Sequence, residues 1–201
     1  MLDRAAIALL RPALDRAGGV LHRLGIGADG VTWTGFALGV AAATAIARGA
    51  YAAGLALMLA SRLCDGLDGA VARCTQPTDR GAFLDIVLDF VFYASIPLAF
   101  AIAEPATRAL PAAVLLAAFV GTGSSFLAFA VLAERRGLAS AAFPRKGFFY
   151  LGGLTEASET LICFALMCVL PGWFDVFAYG FAVLCALTFV TRVFAGWRAF
   201  G

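Results

Sequence analysis

Six long apolar stretches, at about 31–48, 52–73, 82–103, 109–133, 147–170 and 176–196, divide the chain, with charged or turn-forming residues between them. Each is close to the roughly 20 residues that cross a hydrocarbon layer as a helix. In lipid a spanning segment must satisfy its backbone polar groups internally, and segments of this length do so as helices. The pattern predicts an all-α, polytopic membrane protein. A chain of 201 residues that is 62% hydrophobic and 14% charged, with a mean hydropathy of +0.91, carries more apolar surface than a water-soluble domain of that size needs. We read residues 1–201 as one membrane domain, with an amphipathic segment at 1–27 on the membrane surface and a six-helix bundle over 28–201.

Against this background the charges between residues 65 and 89 stand out. Asp65 and Asp68 are three apart, and Asp85 and Asp89 four apart, so each pair shares a helical face. The link between the halves contains Pro77 and ends at Gly81, which predicts that the two helices fold back as antiparallel neighbours. At 1.5 Å per residue, Asp68 and Asp65 lie about 8 and 12 Å up the first helix from Arg73. Asp85 and Asp89 lie about 6 and 12 Å beyond Gly81 on the second. The depths match, so four carboxylates can converge. Ionised together they need cations. All-oxygen ligands suit Mg²⁺, Mn²⁺ or Ca²⁺, and a tetrad suits two ions better than one. Hard cations at a membrane surface point to phosphate chemistry. The blander alternative, in which the aspartates cap helices or pair with Arg62 and Arg80, is outweighed because intramembrane acids are costly and functional by default.

The run Asp65-x2-Asp68-Gly69-x2-Ala72-Arg73, seven residues, then Gly81-x3-Asp85-x3-Asp89 resembles the signature of the CDP-alcohol phosphotransferases. It departs only in its spacer, seven residues where eight are usual. The resemblance implies a metal-dependent transfer in phospholipid biosynthesis: an acceptor hydroxyl attacks a CDP-linked donor, CDP-diacylglycerol above all, and CMP leaves. It implies that Asp65, Asp68, Asp85 and Asp89 hold Mg²⁺ or Mn²⁺, and that Asp89 is also the catalytic base. Asp68, Gly69, Ala72, Arg73 and Gly81 would meet the nucleotide. Gly69, Ala72 and Gly81 leave space against the backbone, although small residues also serve close helix packing. Arg73 can hold a phosphate or brace an aspartate. The family also implies a homodimer formed through membrane helices. A soluble CDP-alcohol donor with a lipid hydroxyl acceptor is the enzymatic alternative. A divalent-cation transporter is the alternative of another class, but it calls for acids staggered across the bilayer.

The acceptor is open on sequence. Thr155, Glu156, Ser158, Glu159 and Thr160 make a polar patch in the fifth stretch. Glu156 and Arg62 fall at similar depths, about 15 and 17 Å from the same membrane face. Either Arg62 pairs with Glu156 or Glu159, or those glutamates, with Ser124 and Ser125, line a pocket for a small polar alcohol. Arg145 and Lys146 either anchor the chain against anionic headgroups or bind a phosphate on the acceptor. Asp29 is placed as the N-cap of the first span. Pro12 and Gly18-Gly19 are placed to bend or break the N-terminal helix. His22 is placed at the surface, and the five cysteines in the core.

Of the fifteen Lys and Arg residues, Arg62 lies within a span and twelve fall on the side of the N-terminal segment, the 74–81 and 134–146 loops and the C-terminus. Arg48 and Arg108 fall on the other. This bias predicts an inner-membrane protein with both termini and the site in the cytoplasm. The N-terminus lacks the compact apolar core and small-residue cleavage site of a removable signal. No soluble basic face is present, so nucleic acid is excluded as a partner.

Overall fold

The computed structural model describes residues 2–76, 78–137 and 155–201, and the described residues are helical with no strand. The order is α1 (Leu2–Arg23), α2 (Ala28–Ala47), α3 (Tyr51–Cys74), α4 (Asp79–Ala103), α5 (Pro105–Arg135), α6 (Ala157–Val169), a short 3-10 turn (Pro171–Trp173) and α7 (Phe174–Phe200). The all-α expectation holds. Helices at Ala28–Ala47, Asp79–Ala103 and Pro105–Arg135, and the segment Pro171–Phe200, are long and apolar enough to cross a membrane. The signature helix α3 carries Arg62, Asp65, Asp68 and Arg73 among its 24 residues. α6 has 13 residues and begins only after Glu156, whose backbone is extended, so the expected fifth span at 147–170 is not one continuous helix; Arg145 and Lys146 lie outside the described residues.

The turns follow their local chemistry. Gly49 adopts φ 78°, its N–H bonds Ile46 O at 2.9 Å, and Ala50 N–H reaches back to Ala45 O at 2.9 Å. This left-handed close lets α3 start three residues after α2 ends. At the head of α4, Thr78 Oγ1 accepts from Gly81 N–H at 3.1 Å, so the helix begins at Asp79, ahead of Gly81. Two local expectations fail. Asp29 does not cap α2: Gly27 occupies the cap, and Asp29 stands in the first turn, where its charge suits the helix dipole. Of the bend or break expected at Pro12 and Gly18-Gly19, the break does not occur: α1 runs through all three.

The helices do not pack in the order of the chain. Both α3 and α4 pack chiefly on α2; α4 then meets α5, and α5 meets α7. The signature helices thus rest their backbones chiefly on α2, while their side chains meet each other directly: Arg62 of α3 reaches Asp89 and the Phe92 ring of α4. Where hydrocarbon is the solvent, helix association rests on close packing, and α2 presents Gly35-x3-Gly39 for it. A Cβ at Gly35 would lie 3.0 Å from Cys64 Cβ of α3, and one at Gly39 would lie 2.8 Å from the Phe92 ring of α4. Ser61 Oγ, fully buried, donates to Gly35 O at 2.7 Å and locks the same crossing.

One core joins Ala42, Ile46, Met58, Phe92, Ile96, Phe100, Leu115, Phe164, Met167, Phe174 and Cys185. It lies toward the C-terminal ends of α2 and α4. At its far end Tyr51 stacks on Phe100 (5.4 Å) and Phe100 on Phe174 (4.7 Å). There Arg108, nearly buried, donates to the Tyr51 hydroxyl at 2.6 Å and pairs with Glu104 at 2.8 Å. The opposite end holds the aspartates. Outward faces expose Leu98, Ile102, Val120, Val131, Val183, Phe194 and Trp197, an apolar surface of the kind that lipid covers.

Candidate active site

Asp65 and Asp68 from α3 and Asp85 from α4 bring carboxylate oxygens within 4.8 Å of one another. Helical spacing puts the first two on one face, and the Thr78 cap sets the height at which Asp85 meets them. Asp68 is buried, Asp65 half-buried and Asp85 exposed. Thr32 of α2 donates to Asp68 Oδ2 at 2.6 Å, with Ala28 O 3.1 Å from the same hydroxyl oxygen. The central helix thus contributes to the site. Metal–oxygen distances of about 2.0–2.6 Å let one Mg²⁺, Mn²⁺ or Ca²⁺ bridge oxygens this close, and the set is all oxygen. The three carboxylates fit a hard divalent cation.

Asp89 stands apart from that trio. Arg62 Nη1 lies 2.5 Å from Asp89 Oδ1 and 3.6 Å from Asp65 Oδ1. The expected partners of Arg62, Glu156 or Glu159, do not take it: the acids of the signature are closer. Glu156 and Glu159 instead form a reciprocal cap on α6, in which Glu159 Oε2 accepts from Glu156 N–H at 3.2 Å and the Glu156 side chain accepts from the third residue of the helix.

The residues expected to meet a nucleotide gather where α2 and α4 begin and α3 ends. A Cβ at Gly69 would meet only Arg73 Nη1 at 3.4 Å, so the backbone there is open. Gly81 sits by Thr78 and 3.9 Å from Asp29 Oδ1 by the same measure, Arg80 pairs with Asp29, and Ala72 is half-buried. Arg73 braces no tetrad aspartate. Its Nε and Nη2 donate to Asp15 Oδ1 of α1 at 3.1 and 2.6 Å. The hydrogen bond from Arg73 draws the Asp15 carboxyl below its ordinary pKa. α1 is seated on α3 at the same place: a Cβ at Gly18 would lie 2.7 Å from Ala70 Cβ, and Leu14 covers Gly66.

Behind the aspartates opens a cavity of about 620 Å³, lined by Asp85 and Asp89 at one side and by Tyr93, Phe119, Phe126, Thr155, Glu156, Thr160 and Arg192 elsewhere. Glu156 therefore does face the site, while Glu159, Ser124 and Ser125 are not in its lining. The two serines bond back to Gly121 O and Thr122 O of their own helix. Arg192 was legible in the sequence only as a charge favouring one membrane side. It is 8% exposed and donates to Thr122 O at 3.0 Å. Its depth inside an apolar segment, several residues before the end of α7, is the signal that could have singled it out. The thiols of Cys163, Cys168 and Cys185 are buried, but Cys74 is exposed.

A helical membrane bundle with a carboxylate trio open at one end, beside a cavity large enough for a small substrate, is the frame into which the comparisons fall. The family model for CDP-alcohol phosphatidyltransferases matches residues 26–194, and the chain belongs to that family of enzymes. It is 49% identical over 197 residues to the Inner membrane protein YnjF of Escherichia coli K12, covering 98% of this chain and 96% of that one. It is 39% identical over 90 residues to the Archaetidylinositol phosphate synthase of Methanothermobacter thermautotrophicus, 44% of this chain and 46% of that one. Among solved structures, Mycobacterium tuberculosis phosphatidylinositol phosphate synthase (PgsA1) with CDP-DAG bound superposes with a TM-score of 0.75 at 24% identity, covering 92% of this chain and 93% of that one. The same enzyme in complex with manganese and citrate gives 0.73 at 24% identity, covering 92% and 88%. At that identity the likeness speaks to the fold.

Proposed function

We propose that the chain transfers a phosphatidyl group from CDP-diacylglycerol to the hydroxyl of a small alcohol or alcohol phosphate, with release of CMP, in a divalent-cation-dependent reaction. The observation that carries this reading is the junction of the carboxylate cleft with the cavity: Asp85, of the trio, and Asp89 line both. Asp65, Asp68 and Asp85 would hold Mg²⁺ or Mn²⁺, which when bound neutralises the donor pyrophosphate and the leaving CMP.

The chain's own residues supply the rest. The open backbone at Gly69, with Ala72 and Gly81 nearby, receives the nucleotide. The acceptor enters the cavity, where Asp89 takes the proton of its hydroxyl. The oxygen so released forms a bond to the donor phosphorus as the bond from phosphorus to the CMP oxygen breaks. Arg192, Thr155 and Glu156 contact the acceptor's polar end, and the buried guanidinium favours an acceptor bearing negative charge. Aromatic walls at Tyr93, Phe119 and Phe126 keep water from competing for the donor. On this reading 1–201 is a single domain with six spans, α3 and the segment that includes α6 joining the four above. α1 lies on the cytoplasmic surface of the inner membrane, both termini and the site face the cytoplasm, and two chains pair through membrane helices.

The test is CMP release by the purified protein in lipid with CDP-diacylglycerol, Mg²⁺ or Mn²⁺ and single alcohols or alcohol phosphates. We expect cation-dependent release with one acceptor and a loss of at least about 10²-fold in Asp89→Asn, the scale of a missing general base. Failure of any CDP-linked compound to bind would end this reading.

A further inference from the structure

We propose that Glu156 and Arg192 form a two-charge acceptor subsite, so that the alcohol this chain takes is a small zwitterion: a primary hydroxyl carried beside an ammonium and an anionic group, carboxylate or phosphate. Glu156 receives the ammonium and Arg192 the anion. The inference deepens the phosphatidyl-transfer reading above and rests on it. The step is unchanged: the hydroxyl proton goes to Asp89, the oxygen bonds the donor phosphorus, and the bond from phosphorus to the CMP oxygen breaks.

Three observations carry it. Among the described residues that line the cavity, Glu156 is the one acid outside the signature and Arg192 the one base. Each is fixed to a different wall. Arg192 Nη1 donates to Thr122 O of α5 at 3.0 Å, and its Cζ lies 5.4 Å from the Phe126 ring centroid. Glu156 stands at the head of α6 on extended backbone, where its side chain and that of Glu159 cap the helix. The two walls are held in register. Thr155 Oγ1 donates to Thr188 Oγ1 of α7 at 3.1 Å, and Arg192 follows Thr188 by one helical turn, a rise of about 6 Å. The neighbour of Glu156 in the chain is thereby pinned one turn from Arg192.

The third observation is where α6 begins. Its 13 residues rise about 20 Å, short of a hydrocarbon core of about 30 Å. On the orientation proposed above, the helix therefore starts inside the membrane. Non-helical backbone at that depth is tolerated where it lines a water-filled cavity, and Thr155, Glu156 and Ala157 all line this one. A cap by itself takes only a neutral oxygen, such as that of Ser, Thr or Asn. A carboxylate at this depth is costly and functional by default. The Arg192 guanidinium stays charged although buried, so the cavity holds one charge of each sign beside Asp89. An alcohol with an anion alone would set that anion against Glu156. One with an ammonium alone would set it against Arg192. A zwitterion matches both and brings no net charge into the membrane.

CMP release by the purified full-length protein in nanodiscs, with CDP-diacylglycerol and Mn²⁺, tests this on five small alcohols. L-serine and serinol phosphate carry both charges. Ethanolamine carries the ammonium alone, and glycerate and glycerol 3-phosphate carry the anion alone. One of the zwitterions should show a kcat/KM at least about tenfold above every single-charge alcohol, the factor for one lost hydrogen bond to a charged group. Which zwitterion leads tells a carboxylate from a phosphate. Glu156→Gln keeps a capping oxygen and should cut the preference over the anionic alcohols by about tenfold, through KM rather than kcat. Arg192→Gln should move the preference toward ethanolamine; if that variant does not fold, Glu156→Gln decides by itself. A single-charge alcohol used as well as either zwitterion would overturn the proposal, as would a Glu156→Gln protein slowed alike on all five. So would a wild type that binds CDP-diacylglycerol and releases CMP with neither zwitterion. Failure to bind CDP-diacylglycerol would instead sink the transfer reading underneath.

Discussion

Thr32 shows how much a single hydroxyl can contribute here. It comes from a helix outside the signature, yet its 2.6 Å bond orients Asp68, the most buried of the aspartates. Removing a hydrogen bond to a charged acceptor costs about 1.5–3 kcal/mol. Thr32→Val should weaken Mn²⁺ binding by about tenfold or more, since each 1.4 kcal/mol is a factor of ten, and Thr32→Ser should restore most of it. Isothermal titration with Mn²⁺ checks both. An unchanged affinity for Thr32→Val would mean that Asp68 is held by its backbone position alone. Arg62 belongs to the same scale. Its depth was legible from helical rise, but its partner was not, because rise says how far along a helix a group sits and nothing about which way it turns.

Among the elements, α2 decides the site. Its glycines let it pack closely on both α3 and α4, and Thr32, Gly35 and Phe36 of α2 line the cleft with Asp65, Asp68, Asp85 and Asp89. A side chain at Gly39 would press its Cβ to 2.8 Å from Phe92 and 3.2 Å from Ser61 Oγ. Gly39→Leu should therefore cost about 1–3 kcal/mol, the range for overpacked cores. It should also loosen Mn²⁺ binding, because Phe92 and Ser61 both hold Arg62. Thermal unfolding in detergent, run beside the Mn²⁺ titration, measures the two effects. A variant as stable as wild type would show that α2 can move outward freely. The Gly35-x3-Gly39 spacing was visible in the sequence; what it packs against required the fold.

At the scale of the whole molecule, the Arg108–Tyr51–Phe100–Phe174 cluster and the carboxylate site lie at opposite ends of one continuous core, and the outward surface is apolar. The proposed orientation puts the site end in the cytoplasm. Cys74, exposed at the end of α3 beside that site, is a natural reporter, since the three cysteines of α6 and α7 are buried. A membrane-impermeant maleimide should label inverted vesicles and spare right-side-out ones, and Cys74→Ser should abolish most of the labelling. Labelling of right-side-out vesicles through Cys74 would reverse the topology.

The chain by itself determined its class and its chemistry. Long apolar runs demand helices because lipid offers no hydrogen bonds, and aspartates three and four apart must share a face because the helix repeats every 3.6 residues. The signature, with eight specified positions, carried the family before any coordinate did. What only the tertiary structure decided lies between helices: α2 packed on both members of the signature pair, Arg62 turned to Asp89, Arg73 turned to Asp15, and Arg192 brought to a cavity it shares with Asp89 more than 100 residues earlier. Those relations depend on how each helix is rotated and where small residues let two backbones approach, and neither is written in the repeat of a single helix.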